Sequence, residues 1–171
     1  IMAFSNIGGP TTRIDVPGAT GGSYAFGINF SSELTGQYTD SGSVVHGWWQ
    51  DSAATITSFD PPGSLQTLPF GINDQTFIVG RFTDGTTLGE RGFLFNTRKG
   101  IFITFDGPGA VFTSLNGINT QGLICGRYDD GSGLLHGLLA RVVIGPVNQV
   151  PNQAPQPRSG QRGNPAINNQ E

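Results

Sequence analysis

Three places in this chain set a basic side chain before a glycine and two apolar residues: His46-Gly47-Trp48-Trp49, Arg91-Gly92-Phe93-Leu94 and His136-Gly137-Leu138-Leu139. Imidazole titrates near neutral pH, so the two histidines are the first candidates for acid–base work or metal ligation. Far apart in sequence, they would make a zinc site only with a third ligand, and no zinc-type spacing accompanies them. A residue repeated at one architectural position is read as a packing or turn-bonding group. The turns Thr39-Asp40-Ser41-Gly42, Thr83-Asp84-Gly85 and Asp129-Asp130-Gly131-Ser132 offer carboxylates for calcium. Calcium wants about six to eight oxygens, and the EF-hand spacing with its closing Glu is missing. Asp and Gly suit the turns themselves. Asn29, Asn73 and Asn119 close three Gly-Ile-Asn motifs. Their amides can cap local turns or form a polar ring that meets a sugar or peptide. Trp48 and Trp49 could stack on a sugar, but no other copy carries the pair, and at least one is assigned to the core or an interface. Cys125, the single cysteine, sits in the apolar run Leu123-Ile124-Cys125 and reads as a buried, inert thiol. The chain has no Gly-x-Ser-x-Gly, P-loop or His-Glu-x-x-His pattern. No catalytic residue, metal or cofactor is assigned.

The elements that position these residues repeat. Gly-Ile-Asn recurs at Gly27–Asn29, Gly71–Asn73 and Gly117–Asn119, with offsets of 44 and 46. Asp-x-Pro-Gly recurs at Asp15–Gly18, Asp60–Gly63 and Asp106–Gly109. Gly-x-aromatic-x-Asp recurs at Gly36–Asp40, Gly80–Asp84 and Gly126–Asp130. With the basic-Gly motif, that makes four signatures in one order in three copies of about 45 residues. Each copy parses into four short strands divided by turn residues. In the second copy these are Leu68–Asn73, Phe77–Phe82, Arg91–Asn96 and Ile101–Phe105. The expected fold is all-β, with three four-stranded antiparallel, blade-like repeats of propeller type; a β-trefoil is the alternative. Gly36, Gly80 and Gly126 are expected to face a neighbouring repeat.

Composition agrees. Gly is 27 of 171 residues, twice the usual share of about 7%, and charged residues are only 12%. With one Met, one Lys and three Glu, helical bundles and repeating α/β folds are excluded. A net charge of −3 gives no attraction to phosphate backbones, so nucleic acid is not an expected partner. No apolar stretch reaches the roughly 18 residues of a membrane-spanning helix, so membrane insertion is not expected either.

The chain divides into an N-terminal arm (1–10), a β repeat domain (11–147) and a tail (148–171) holding four Pro, five Gln and five Asn. Thr11–Val16 reads as a lone fourth strand, whereas the last copy stops after its third. That strand is expected to complete a blade with Phe112–Arg141, in the same chain or a partner. Three repeats fall below the four to eight blades typical of propellers, so two chains related by a two-fold axis are expected to close a ring. The tail's composition cannot bury enough surface to fold alone. It is expected to pack on another subunit as an extended strand and to link protomers into a larger homo-oligomer or filament. The residues assigned to assembly are Thr11, Arg13, Ile14, Val150, Pro151, Pro155, Pro157 and Ile167.

Ile14-Asp15-x-Pro17-Gly18-Ala19, Gly27-Ile28-Asn29, Gly80-x-Phe82-Thr83-Asp84 and His136-Gly137-Leu138 together resemble the bacterial extracellular repeats of the HAF type, over roughly residues 11–141. The resemblance implies a propeller-like β architecture and export to the cell surface or medium. It carries no catalytic residues. The expected function is therefore non-enzymatic: structural self-assembly or extracellular interaction, the alternative being a carbohydrate-binding propeller lectin with a glycan ligand at Asn29, Asn73, Asn119, Trp48 and Trp49.

Overall fold

A computed structural model describes residues 3–5, 11–85 and 89–142, and all regular structure in them is β. The first two strands, β1 (Ala3–Ser5) and β2 (Thr12–Ile14), form a small antiparallel sheet. Three larger antiparallel sheets follow. The first holds β3 (Gly22–Ile28), β4 (Leu34–Thr39), β5 (Val45–Gln50) and β6 (Ile56–Phe59). The second holds β7 (Ser64–Ile72), β8 (Phe77–Asp84), β9 (Glu90–Asn96) and β10 (Ile101–Phe105). The third holds β11 (Phe112–Ile118), β12 (Leu123–Asp129) and β13 (Leu135–Arg141). Strand order within each sheet is sequence order, and the array does not close.

The sheets lie one behind another in sequence order. Strand β7 packs on β3, β4 and β5, and β11 packs on β7, β8 and β9. The middle sheet is thus covered on both faces, which explains why β8 opens as an unbroken apolar run, Phe77-Ile78-Val79, instead of alternating. Apolar clusters fill the spaces between sheets. Phe59 from the first sheet joins Ile78, Phe82, Phe93 and Phe95 of the second. Phe77, Val79 and Leu94 of the second meet Leu115 and Ile124 of the third. Phe93 is fully buried, and burying such a ring stabilises by roughly 1.5–3 kcal/mol.

The fourth-strand residues Phe59 and Phe105 each pack into the cluster that involves the next sheet. Ile14 does the same for the first sheet, lying with Val16 against Leu34, Tyr38 and Trp48. Strand β2 therefore sits where a preceding sheet would place its fourth strand, as its sequence predicts. Strand β1 lies in the segment read as an arm, yet it has a structural counterpart. Ala3 stands opposite Ile14 as Gly47 stands opposite Phe59 and Gly92 opposite Phe105. The small sheet is thus the third and fourth strands of a further, partial repeat.

Each first strand carries a bulge, at Ala25/Gly27, Pro69/Gly71 and Leu115/Gly117. Opposite those bulges stand Gly36, Gly80 and Gly126. A Cβ on Gly80 would lie 2.3 Å from the Leu68 carbonyl oxygen and 2.7 Å from Pro69 Cα. These glycines face the bulged backbone of their own sheet, not a neighbouring repeat as their spacing suggests. The extra residue of each bulge pushes the first strand's carbonyl into the space a side chain would need. Gly27 and Gly71 do face another sheet, with added Cβ atoms 3.1 and 3.2 Å from the Cα of Gly71 and Gly117, and Gly92 faces Leu115 and Thr113 of the third sheet. Gly80→Val is expected to cost about 3 kcal/mol or more in chemical denaturation, because backbone must move. Gly137→Val, at a strand glycine with nothing within 4 Å among the described residues, is the matched control and should change the stability of the isolated chain little.

Candidate functional site

The basic residue of the first two copies is held between carboxylates at the strand ends. His46 Nδ1 meets Asp60 Oδ2 at 2.6 Å, and its Nε2 lies 3.4 Å from Asp40 Oδ2. Asp40 comes from the Gly-x-aromatic-x-Asp end of β4, and Asp60 from the Asp-x-Pro-Gly turn after β6. In the second copy Arg91 bridges the matching pair, with Nη2 2.5 Å from Asp106 and Nη1 3.5 Å from Asp84. An arginine cannot act as an acid or base near neutral pH, so what the two copies share is a nitrogen-bearing side chain that bridges carboxylates from two strand ends. In the third copy His136 Nε2 lies 3.3 Å from Asp130 Oδ2. Among the described residues no second carboxylate meets it. Tyr38 and Tyr128 pack beside His46 and His136 with ring centroids 5.1 Å apart in each pair.

These contacts tune the charges. Partial burial alone would lower the His46 pKa, but the hydrogen bond and charge of Asp60, helped by Asp40, raise it above its ordinary value. The Val44 amide, with His46, lowers the Asp40 pKa. The Asp106 carboxylate raises Arg91 in the same sense.

The asparagines of Gly-Ile-Asn work within and between sheets. Asn73 Oδ1 accepts from the Gln75 and Phe77 amides, fixing the turn between β7 and β8. Asn29 does so through Glu33, and Asn119 through Gln121 and Leu123. The free amide nitrogen then reaches across: Asn29 Nδ2 donates to the Asn73 carbonyl at 3.0 Å, and Asn73 Nδ2 to the Asn119 carbonyl at 3.0 Å. Asp74 adds a second bridge, accepting from the Phe30 amide and the Thr120 hydroxyl, both of which lower its pKa. Asn29 and Asn73 are therefore committed to the fold. The Asn119 amide nitrogen has no acceptor among the described residues.

Trp48 is fully buried, with Nε1 donating to the Gln37 carbonyl, so its ring is closed to a ligand. Trp49 is half-buried against the Phe59–Phe95 cluster. Side-chain alternation sends the two rings to opposite faces of β5, and both faces are packed. Ile14 is core, Thr11 is exposed, and Arg13 pairs with Asp15 at 2.6 Å. Val150, Pro151, Pro155, Pro157 and Ile167 lie outside the described residues. Cys125 is exposed, contrary to its apolar setting in sequence, although its counterparts Thr35 and Val79 are fully buried. All three stand opposite the motif glycine, but among the described residues no fourth sheet covers the third.

Two features escaped the motif reading. A ladder of rings crosses the first strands: Tyr24 stacks with Phe26 at 6.1 Å, Phe26 meets Phe70 at 6.0 Å, and Arg81 lies over both Phe70 and Phe112. The aromatic residue just before Gly27 and Gly71 was the available signal. A cleft of about 500 Å³ also opens beside β10, floored by Phe77, Leu94, Ile101 and Ile103 and rimmed by Arg98 and Lys99.

No family model matches this chain, and neither does any curated protein.

The raised His46 pKa sets a pH dependence. Protonated His46 contributes stability in full below the ordinary imidazole pKa near about 6.5, and that contribution is lost as pH rises through the raised folded value. The melting temperature of the wild type should fall across that window, and His46→Gln should flatten the fall. Equal slopes for the two proteins would refute this.

Proposed function

We propose that the chain is a non-enzymatic, exported repeat protein of propeller type, acting at the cell surface or outside it by structural self-assembly. The observation that carries this reading is the unfinished character of the third sheet. Each earlier sheet hands the next one a Gly-on-Gly contact, an asparagine amide and an apolar face. The third presents the same set outward: Gly117, Asn119, Cys125, and the exposed Leu135 and Leu139. Leu139 is 70% exposed where Leu94, its counterpart, is buried. Large apolar faces of this kind mark interaction surfaces. The likeness of the motifs to extracellular HAF-type repeats supports the cellular setting.

The ring ladder favours a second reading, a carbohydrate-binding module. Phe26 is 49% exposed, and stacked rings beside guanidinium groups suit the apolar face and hydroxyls of a sugar. The two readings separate cleanly. Light scattering at micromolar concentration should give a native mass at a multiple of 18.0 kDa. A stable 18.0 kDa monomer, with glycan-array binding abolished by Phe26→Ala and Phe70→Ala, would replace the first reading with the second.

A further inference from the structure

We infer that strand β2 of a second copy completes the third sheet, pairing with the edge of β13 that no described strand occupies and setting its Asp15 against His136. The inference rests on the self-assembly reading and names the surface that performs it.

The repeat itself supplies the template. In the first and second sheets the third strand pairs with the fourth through a glycine, Gly47 opposite Phe59 and Gly92 opposite Phe105. The residue after that fourth strand is the aspartate that takes the basic side chain: Asp60 takes His46, and Asp106 takes Arg91. In the third sheet the glycine is Gly137, and a Cβ there would meet nothing within 4 Å, although Gly47 would strike Phe59 and Gly92 the Phe105 carbonyl. The basic residue is His136, whose one carboxylate partner among the described residues is Asp130. At the other end of the chain the complement is left over. Strand β2 ends at Ile14, the counterpart of Phe59, and is followed by Asp15, whose side chain is 67% exposed and meets only its neighbour Arg13 among described residues. One end lacks an aspartate, and the other has one to spare.

The fit also determines why the donor is another molecule. Within its own chain β2 is already seated on the first sheet, with Ile14 and Val16 in that sheet's cluster. To reach β13 of the same chain while keeping that seat, three repeats would have to close a ring, fewer than the four or more blades propellers use. A second copy keeps β2 in place and brings its whole first sheet behind it. Its β3 then covers the third sheet as β7 covers the first, burying Leu139 and Cys125 and giving the Asn119 amide the Asn29 carbonyl as acceptor. Among the described elements, the one that yields is β1, three residues long, which holds the edge of β2 that seven-residue β13 would take. The contact is head-to-tail, so it either closes a ring or propagates.

The test mixes two charge-reversed proteins. Asp15→Arg and His136→Asp should each abolish association of the full chain in sedimentation velocity: the first removes the carboxylate and sets a bulky guanidinium against the imidazole, and the second sets two carboxylates face to face at every contact. An equimolar mixture should recover it, since the guanidinium introduced by the first substitution can meet the carboxylate introduced by the second, and the remaining contacts are wild type. Gly137→Ile, at a position where an added Cβ meets nothing within 4 Å among the described residues, should stay folded and monomeric. Cys125 should react with a soluble disulfide reagent several-fold more slowly in the associated wild type than in these variants. Wild-type association that survives all three substitutions, or that vanishes only on removing residues 143–171, overturns the inference while leaving self-assembly standing. A wild type monomeric at every concentration overturns both.

Discussion

Close approach of successive sheets at the Gly-Ile-Asn motif is the contact on which the rest of the molecule depends. Gly27, Gly71 and Gly117 bring the backbones of the three first strands within reach of one another, and any Cβ at the first two would meet main-chain atoms of the next strand. Only at that spacing can Asn29 and Asn73 donate to the carbonyl of the following asparagine while their oxygens still fix the turn below. The same side chain thus sets a local turn and a long-range distance. With the distance set, Phe59 and Phe105 fall into the next sheet's apolar space.

The outer rim is fastened differently. There the strand ends are joined by a basic side chain between two carboxylates, His46 in one copy and Arg91 in another. Both kinds of side chain can be exchanged at this position because the geometry asks for charge and reach, not for a particular proton. The half-exposed setting keeps each such pair modest in energy, while its repetition gives a consistent register between third and fourth strands.

The strand plan was legible because turn chemistry punctuates it. Asp-x-Pro-Gly and Asx turns mark where ladders stop, and apolar runs such as Phe77-Ile78-Val79 mark a sheet covered twice. Strand β1 was not legible, since Met2-Ala3 replaces the basic-Gly signature and only the register with Ile14 reveals its place. The role of Gly80 was misdirected for a similar reason: spacing says that a side chain is forbidden, but not by which neighbour. Of the candidate site residues, the asparagines and Trp48 were visible as repeated or unusual residue types, yet their roles turn on partners that only the packing supplies. The aromatic ladder spans three sheets, so no single motif contains it.

The apolar clusters lie between sheets instead of inside them, and this makes the molecule a row of coupled units. Such a row behaves like a one-dimensional lattice in which stability is held in the junctions between neighbours. The middle sheet is bounded by two junctions and cannot loosen without disturbing both, while the third sheet is free to fray outward. Amide hydrogen exchange should therefore be graded along the chain, slowest in β8 and β9 and fastest in β13. Each added copy in the same register would contribute one more junction and bury one more fraying end. Cooperativity and thermal resistance would then rise with the length of the array, and protein concentration would act as a stabilising agent in its own right.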